Sequence, residues 1–238
     1  MSKRSAPSSL AILYVDEQCA VVDQPGGEGE VTESDLRRLP ELAGDERLRV
    51  AYRPDGGASG VMLCARSDAA YEALRGQLAN GGATIVYHAL VSGYVTENGE
   101  VDLPLRFDRR SQRLEAAGGR GKSVRTTYRV VERVAGNTWL ECRPDAERRQ
   151  QVRAHLAAIG HPVSVDSQYG SEQPLLLSFY KSGYRPNRRQ EERPLCARLT
   201  LHAAAAEFVS PASGERMSVW APLPRDLAAT LKQLGRLA

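Results

Sequence analysis

A chain of 238 residues with 42% hydrophobic and 26% charged side chains can build one large domain or two small lobes sharing a sheet. Its net charge of only +3 permits binding to a polyanion without requiring it. No apolar run reaches the roughly 18 residues of a membrane span, and the basic start MSKRSAPSSLAILYVDEQ lacks an apolar stretch of signal-peptide length, so the expected location is the cytoplasm. The four cysteines lie far apart with no CxxC, which points to reduced, mostly buried thiols rather than a zinc site.

Residues 1–9, rich in Ser, Lys, Arg and Pro, are expected to form a disordered tail. Ile12-Leu13-Tyr14 and Ala20-Val21-Val22 read as short strands around a polar turn at 16–18. Gly26, Gly27 and Gly29 mark a loop, and 33–39 a short helix. Residues 61–65 form an apolar strand after the Gly-rich loop 55–60. A helix then starts at the cap Ser67, carries Ala70, Leu74 and Leu78 on one face, and stops at Asn80-Gly81-Gly82. A strand over 85–95 leads into a polar linker, and 126–134 with 138–143 make a hairpin closed near Gly136-Asn137. Asp145 is expected to cap a helix bearing Val152, Leu156 and Ile159 and ended by Gly160. Strands at 199–203 and 217–220 follow, then a helix with Leu227, Leu231 and Leu234 on one stripe. Without a regular βαβ rhythm the class is α+β with a mainly antiparallel sheet.

The charges are unevenly spread. Residues 106–133 include Arg109, Arg110, Arg113, Arg120, Lys122, Arg125 and Arg129, and a second basic stretch, 181–193, lies beside Phe179, Tyr180 and Tyr184. Basic side chains among aromatics suit phosphates and unstacked bases; they equally suit a solvated hairpin and loop. The four histidines lack metal-ligand spacing, and Gly56-Gly57 lacks the lysine and helix of a P-loop. Neither a metal nor a cofactor is implied.

By itself Asp55-Gly56-Gly57 is a turn signal. It belongs, however, to an ordered set. ILYVDEQCAVVDQP at 12–25, YRPDGGASG at 52–60, YHALV at 87–91, AERRQQVRAHL at 146–156, the stretch with Gly160-His161-Pro162, Asp166 and Tyr169-Gly170, and RLTLHA at 198–203 come in sequence. This set resembles the pseudouridine synthases of the RluA type over about residues 10–235. The family loop HRLDxxTSG is matched at Arg53, Asp55, Ser59 and Gly60, with Tyr52, Pro54 and Ala58 in place of His, Leu and Thr. Gln24 and Ile85 stand where the family carries lysines, and Val165 where it carries a glycine.

The resemblance implies a pseudouridine synthase fold, with an RNA cleft between two lobes, over 10–238 as a single catalytic domain without a separate N-terminal RNA-binding module. It implies isomerisation of uridine in ribosomal or transfer RNA by a monomer that needs no cofactor. The catalytic set it implies is Asp55, the carboxylate acting at the sugar or base; Tyr87, against the base; and Arg153, holding the carboxylate ionised. Arg53 is implied to fill the gap left by a flipped-out nucleotide, and Arg148, Gln151, Arg109, Arg110 and Lys122 are the further RNA-binding candidates. Read without the resemblance, Tyr87 is equally a strand core aromatic, Arg153 a helix residue beside the core stripe, and Arg53 a solvated loop residue. His155, His161 and His202 read as hydrogen-bonded packing residues, and His88 faces away from Tyr87. A second reading keeps the fold and RNA binding but makes the chain a catalytically weak ribosome-assembly factor; a third puts another glycosidic reaction at the same carboxylate.

Overall fold

In a computed structural model, residues 10–27, 29, 31–117, 123–185 and 191–238 are described; the expected tail 1–9, Arg120 and Lys122 lie outside them. The chain runs β1 (Ala11–Val15), β2 (Cys19–Gln24), α1 (Glu33–Leu36), β3 (Arg49–Tyr52), β4 (Ser59–Ala65), α2 (Asp68–Asn80) and β5 (Thr84–Ser92). It continues with β6 (Gly99–Asp102), β7 (Leu105–Asp108), β8 (Arg113–Ala116), β9 (Arg125–Val134), β10 (Asn137–Pro144), α3 (Gln151–Ala158) and α4 (Leu177–Tyr180). Last come β11 (Leu201–Val209), β12 (Arg216–Trp220) and α5 (Arg225–Gly235). The class is α+β, mainly antiparallel. Among the described residues no helix is long and apolar enough to cross a membrane.

Two compact units divide the chain. The first holds the described residues up to Val86 together with Asp145–Arg149 and His202–Pro222. Its organising strand is β4, seven residues all buried. One edge of β4 pairs antiparallel with β2; the other pairs with β3 and, at Ser59 and Gly60, runs parallel to β11. The β1–β2 turn closes on Asp16, whose Oδ1 accepts from the N–H of Gln18 and of Cys19, both at 2.7 Å. Thr32 caps α1 reciprocally with Asp35. Ala20, Val22, Leu36, Leu42, Leu48 and Met62 share one apolar cluster. Helix α2 keeps both expected ends: Ser67 Oγ accepts the N–H of Ala70, and Gly81 closes it in the left-handed conformation. Leu74 and Leu78 are buried on its inner face, contributing about 1.5–3 kcal/mol each.

The second unit holds the described residues of Tyr87–Pro144, Gln150–Leu201 and Leu223–Ala238. Its ladder runs β5, β10, β9, β6, all antiparallel. The β9–β10 hairpin turns at Ala135-Gly136, one residue earlier than expected, with Gly136 at φ 66°. Leu227 and Leu234 of α5 join Leu90, Val134 and Trp139 in the main cluster of this unit. The stretch expected as a polar linker instead contains β6 and the β7–β8 hairpin. Helix α3 starts at Gln151 rather than at a cap on Asp145. Glu147 gives its N–H to Leu78 O, and Gln150 turns the chain at φ 67°, so residues 145–150 cannot continue a helix. All four thiols are buried, and burial pushes those of Cys19 and Cys64 up to about 12.

Gly60 is the tightest steric point of the first unit. It sits at φ 115°, and a Cβ there would lie 2.1 Å from the carbonyl oxygen of Ala203. Gly60→Ala therefore combines backbone strain with a backbone clash and should cost more than about 3 kcal/mol. Urea unfolding, read as a shift of midpoint at constant slope, checks this.

Candidate active site

The loop carrying Asp55 belongs to the first unit and is held on both sides. β3 leads into it with Ala51 and Tyr52 buried, and β4 takes it over at the buried Ser59. Ala58 donates its N–H to Asp55 O at 2.9 Å, and Gly57 has φ 86°, the positive third-position angle of a type II turn. Gly27 of the preceding glycine loop donates its N–H to Gly57 O at 3.0 Å. Ser59 Oγ and His202 Nδ1 lie 3.0 Å apart in the interior, which makes His202 a packing residue as expected. Pro54 is buried and Asp55 half-buried, so the substituted proline is accommodated while the carboxylate residue keeps access to solvent. Arg53 donates from Nη1 to Val31 O at 3.1 Å and has Nη2 at 3.9 Å from Glu33. On β2, Asp23 stands where the resembling family has asparagine, and burial pushes its carboxyl up to about 6.

Tyr87 and Arg153 belong to the second unit. Tyr87 is 5% exposed on β5, opposite Cys142 of β10. Its neighbour His88 sits edge-on to Trp139 and 4.0 Å from Glu141, and its pKa is lowered chiefly by burial. Arg153, on α3, is 5% exposed. Asp166 takes one edge of its guanidinium in a bidentate pair, Nε to Oδ2 at 2.7 Å and Nη2 to Oδ1 at 2.6 Å. The same Oδ1 accepts the N–H of Gln168 and Tyr169, and the Tyr169 ring lies 5.1 Å from the guanidinium carbon. His155, also on α3, is fully buried between Thr126 Oγ1 and Leu103 O.

The RNA-binding candidates divide. Arg109 and Arg110 are exposed in the β7–β8 turn, beside Phe107 at 50% exposure. Asp108 folds that turn, accepting from the N–H of Arg110 and Ser111 and from Ser111 Oγ, and these bonds hold its carboxyl below the usual range. Arg148 is half-buried in the irregular stretch before α3, and Lys122 lies outside the described residues. Gln151 is 1% exposed, and its amide donates to Arg125 O and Thr126 Oγ1, tying α3 to β9. Sequence reasoning named Asp166 as a motif match without giving it a role; its signal was the required turn at Val165, where the family has glycine. Asp108 carried only the ordinary mark of an acid at a turn.

Residues 16–158 match the model of the RNA pseudouridylate synthase family. A ribosomal large subunit pseudouridine synthase D of Xanthomonas campestris is 33% identical over 235 residues, covering 94% of this chain and 69% of the relative. The uncharacterized RNA pseudouridine synthase YlyB of Bacillus subtilis is 28% identical, over 97% of this chain and 74% of its own length. The solved human RNA pseudouridylate synthase domain containing 4 shares the fold at a TM-score of 0.71 and 22% identity, over 94% of this chain and 92% of that one. The class is thus an RNA-modifying isomerase on an α+β scaffold. This chain belongs to the RNA pseudouridylate synthase family.

Asp108→Ala should leave the β7–β8 ladder paired but loosen its turn. Amide exchange at Arg110 and Ser111 is expected to accelerate roughly tenfold while the melting temperature stays put. Hydrogen exchange resolved to single residues checks this.

Proposed function

We propose that this chain converts uridine to pseudouridine in ribosomal RNA of the large subunit, with Asp55, Tyr87 and Arg153 as its catalytic residues. The observation that carries the reading is the Asp55 loop. Despite Tyr52, Pro54 and Ala58, residues 55–58 close a hydrogen-bonded turn, pinned by Gly27 and followed directly by the fully buried β4. The choice of RNA is supported by the names of relatives such as the Xanthomonas campestris synthase, a ribosomal large subunit enzyme.

The reaction breaks the bond between N1 of uracil and C1′ of ribose, turns the base, and joins C5 to C1′. The C5 proton leaves and N1 ends protonated, so the conversion is redox-neutral and intramolecular. Asp55 supplies an ionised carboxylate to the sugar or base while the glycosidic bond is open. Arg153 supplies the positive charge that favours that ionised form. Tyr87 lies against the base and assists departure of the C5 proton. Arg53, held on Val31 O in this structure, serves the state in which the nucleotide has left its stack. Arg109 and Arg110 contact phosphates and position the RNA without reading it.

Asp55→Asn keeps the size of the side chain and removes its charge. It should abolish tritium release from C5-labelled uridine RNA while leaving RNA affinity and thermal melting close to wild type. Turnover at the wild-type rate would remove Asp55 from the chemistry. Tight binding by the wild-type chain with no release on large-subunit, small-subunit or transfer RNA would favour a non-catalytic assembly factor. Release on transfer RNA alone would move the substrate.

Phosphate contacts release counterions, so affinity should fall steeply with salt. Arg109→Gln with Arg110→Gln should reduce the log–log slope by about 2, and to the same extent on unrelated RNA sequences. Fluorescence titrations at several salt concentrations check this; an unchanged slope would assign both arginines to a solvated turn.

A further inference from the structure

Among the described residues, three that are not glycine take a positive φ: Gln112 at 56°, Gln150 at 67° and Val165 at 56°. All three lie in or directly beside one hydrogen-bonded network of the second unit, the network that also holds Arg153. Val165 directly precedes Asp166, the bidentate partner of Arg153. Gln150 occupies the N-cap position of α3 without a side-chain capping bond; its Nε2 donates to Gln168 Oε1 at 3.1 Å and lies 3.5 Å from Gln112 O. Its Oε1 accepts the hydroxyl of Tyr169 at 2.9 Å. That hydroxyl accepts the N–H of Leu114 on β8 at 2.7 Å, and Arg113 Nη1 donates to Gln168 O at 3.0 Å. The β7–β8 hairpin, whose turn exposes Arg109 and Arg110, is thereby bonded to the same short segment, 166–169, that grips Arg153.

An arginine side chain has many rotamers, and a charge held loosely is a poor partner for a reacting carboxylate. Here the bidentate carboxylate fixes one edge of the guanidinium, and the Tyr169 ring lies beside it. The carboxylate is itself fixed by two backbone N–H groups. Backbone strain gathered at three points of one network persists only where the surroundings over-determine it, and such clusters occur where a group must be placed accurately. Satisfying a buried charge needs the pair alone; it does not need the hydroxyl clamp to the hairpin.

We propose that Asp166 is a positioning residue for Arg153, and that Tyr169 links this pair to the Arg109–Arg110 hairpin, so that the hairpin's hold on RNA sets the placement of Arg153. This rests on the role given to Arg153 in the reading above. The chemistry recognised at the far end of the link is the phosphate backbone of the substrate RNA. The near end is the charge balance at the reaction centre.

The test measures kcat and KM by tritium release for the full chain and its variants, with thermal melting of each. Asp166→Asn should lower kcat on the order of 10²-fold, as an ångström-scale misplacement does, with KM little changed. A merely structural role would lower the melting temperature and leave kcat per folded molecule intact. Should Asp166→Asn fail to fold, Tyr169→Phe carries the test, since it keeps the ring beside Arg153 and removes only the clamp. Neutralising Arg109 and Arg110 to Gln should lower kcat and raise KM in the wild type, but raise KM alone in the Tyr169→Phe background. An arginine effect on kcat that is absent from the wild type, or equal in both backgrounds, overturns the link; wild-type kcat in folded Asp166→Asn overturns the positioning role. Arg153→Ala separates the two levels. If it retains wild-type turnover, the role of Arg153 itself has failed; if it is inactive while folded Asp166→Asn is not, only the present inference has.

Discussion

Placing a guanidinium and a carboxylate together away from water costs several kcal/mol per ion, and the attraction between them repays this only when geometry and remaining hydrogen bonds are nearly complete. Arg153 and Asp166 meet that condition with two short bonds between them and two backbone N–H groups on Asp166. Much of the second unit follows from it. The chain after β10 must deliver Arg153 on a helix with an inward face, hence the abrupt start of α3 at the positive-φ Gln150. The chain before Asp166 must turn sharply, and it does so at Val165, a β-branched residue in a conformation costing about 1–3 kcal/mol. That strain is tolerated because an unpaired buried charge would cost more.

The first unit is governed by contact rather than charge. β4 is buried along its whole length, so a one-residue slip against β2 and β3 would exchange its two packed faces. Its first residues run so close to β11 that only glycine fits at position 60. The residues just before inherit this rigidity. Asp55 lies on a short turn whose exit is the fully buried β4, and Gly27 fastens its far side. Scaffolds of this kind let a polar loop keep one geometry although three of its nine residues depart from the family pattern.

The small net charge and the proposed work on RNA are compatible because the positive charge is local. Arg109 and Arg110 stand exposed at a turn that Asp108 shapes with its own carboxylate, so the acid does not simply cancel the neighbouring bases but arranges them. An exposed phenylalanine, Phe107, accompanies them. Under the proposed function, such a surface would contribute affinity through phosphates and leave selection of the uridine to other contacts.

Residue order alone was enough for whatever depends on near neighbours. The strand pair around Asp16, both ends of α2 at Ser67 and Gly81, and the Leu227 and Leu234 stripe of α5 are written in local pattern, because caps, turns and periodicity act over a few residues. Family membership was legible for a related reason: an ordered set of short motifs needs no knowledge of contacts. The polar stretch after β5 hid a hairpin, since exposed strands there lack clear alternation. Position on a helix could not tell that Gln151 is sealed against β9, nor that Arg153 is gripped by a carboxylate 13 residues further on. Those outcomes depend on which polar groups lose water when distant segments close on one another, and only the tertiary structure decides that.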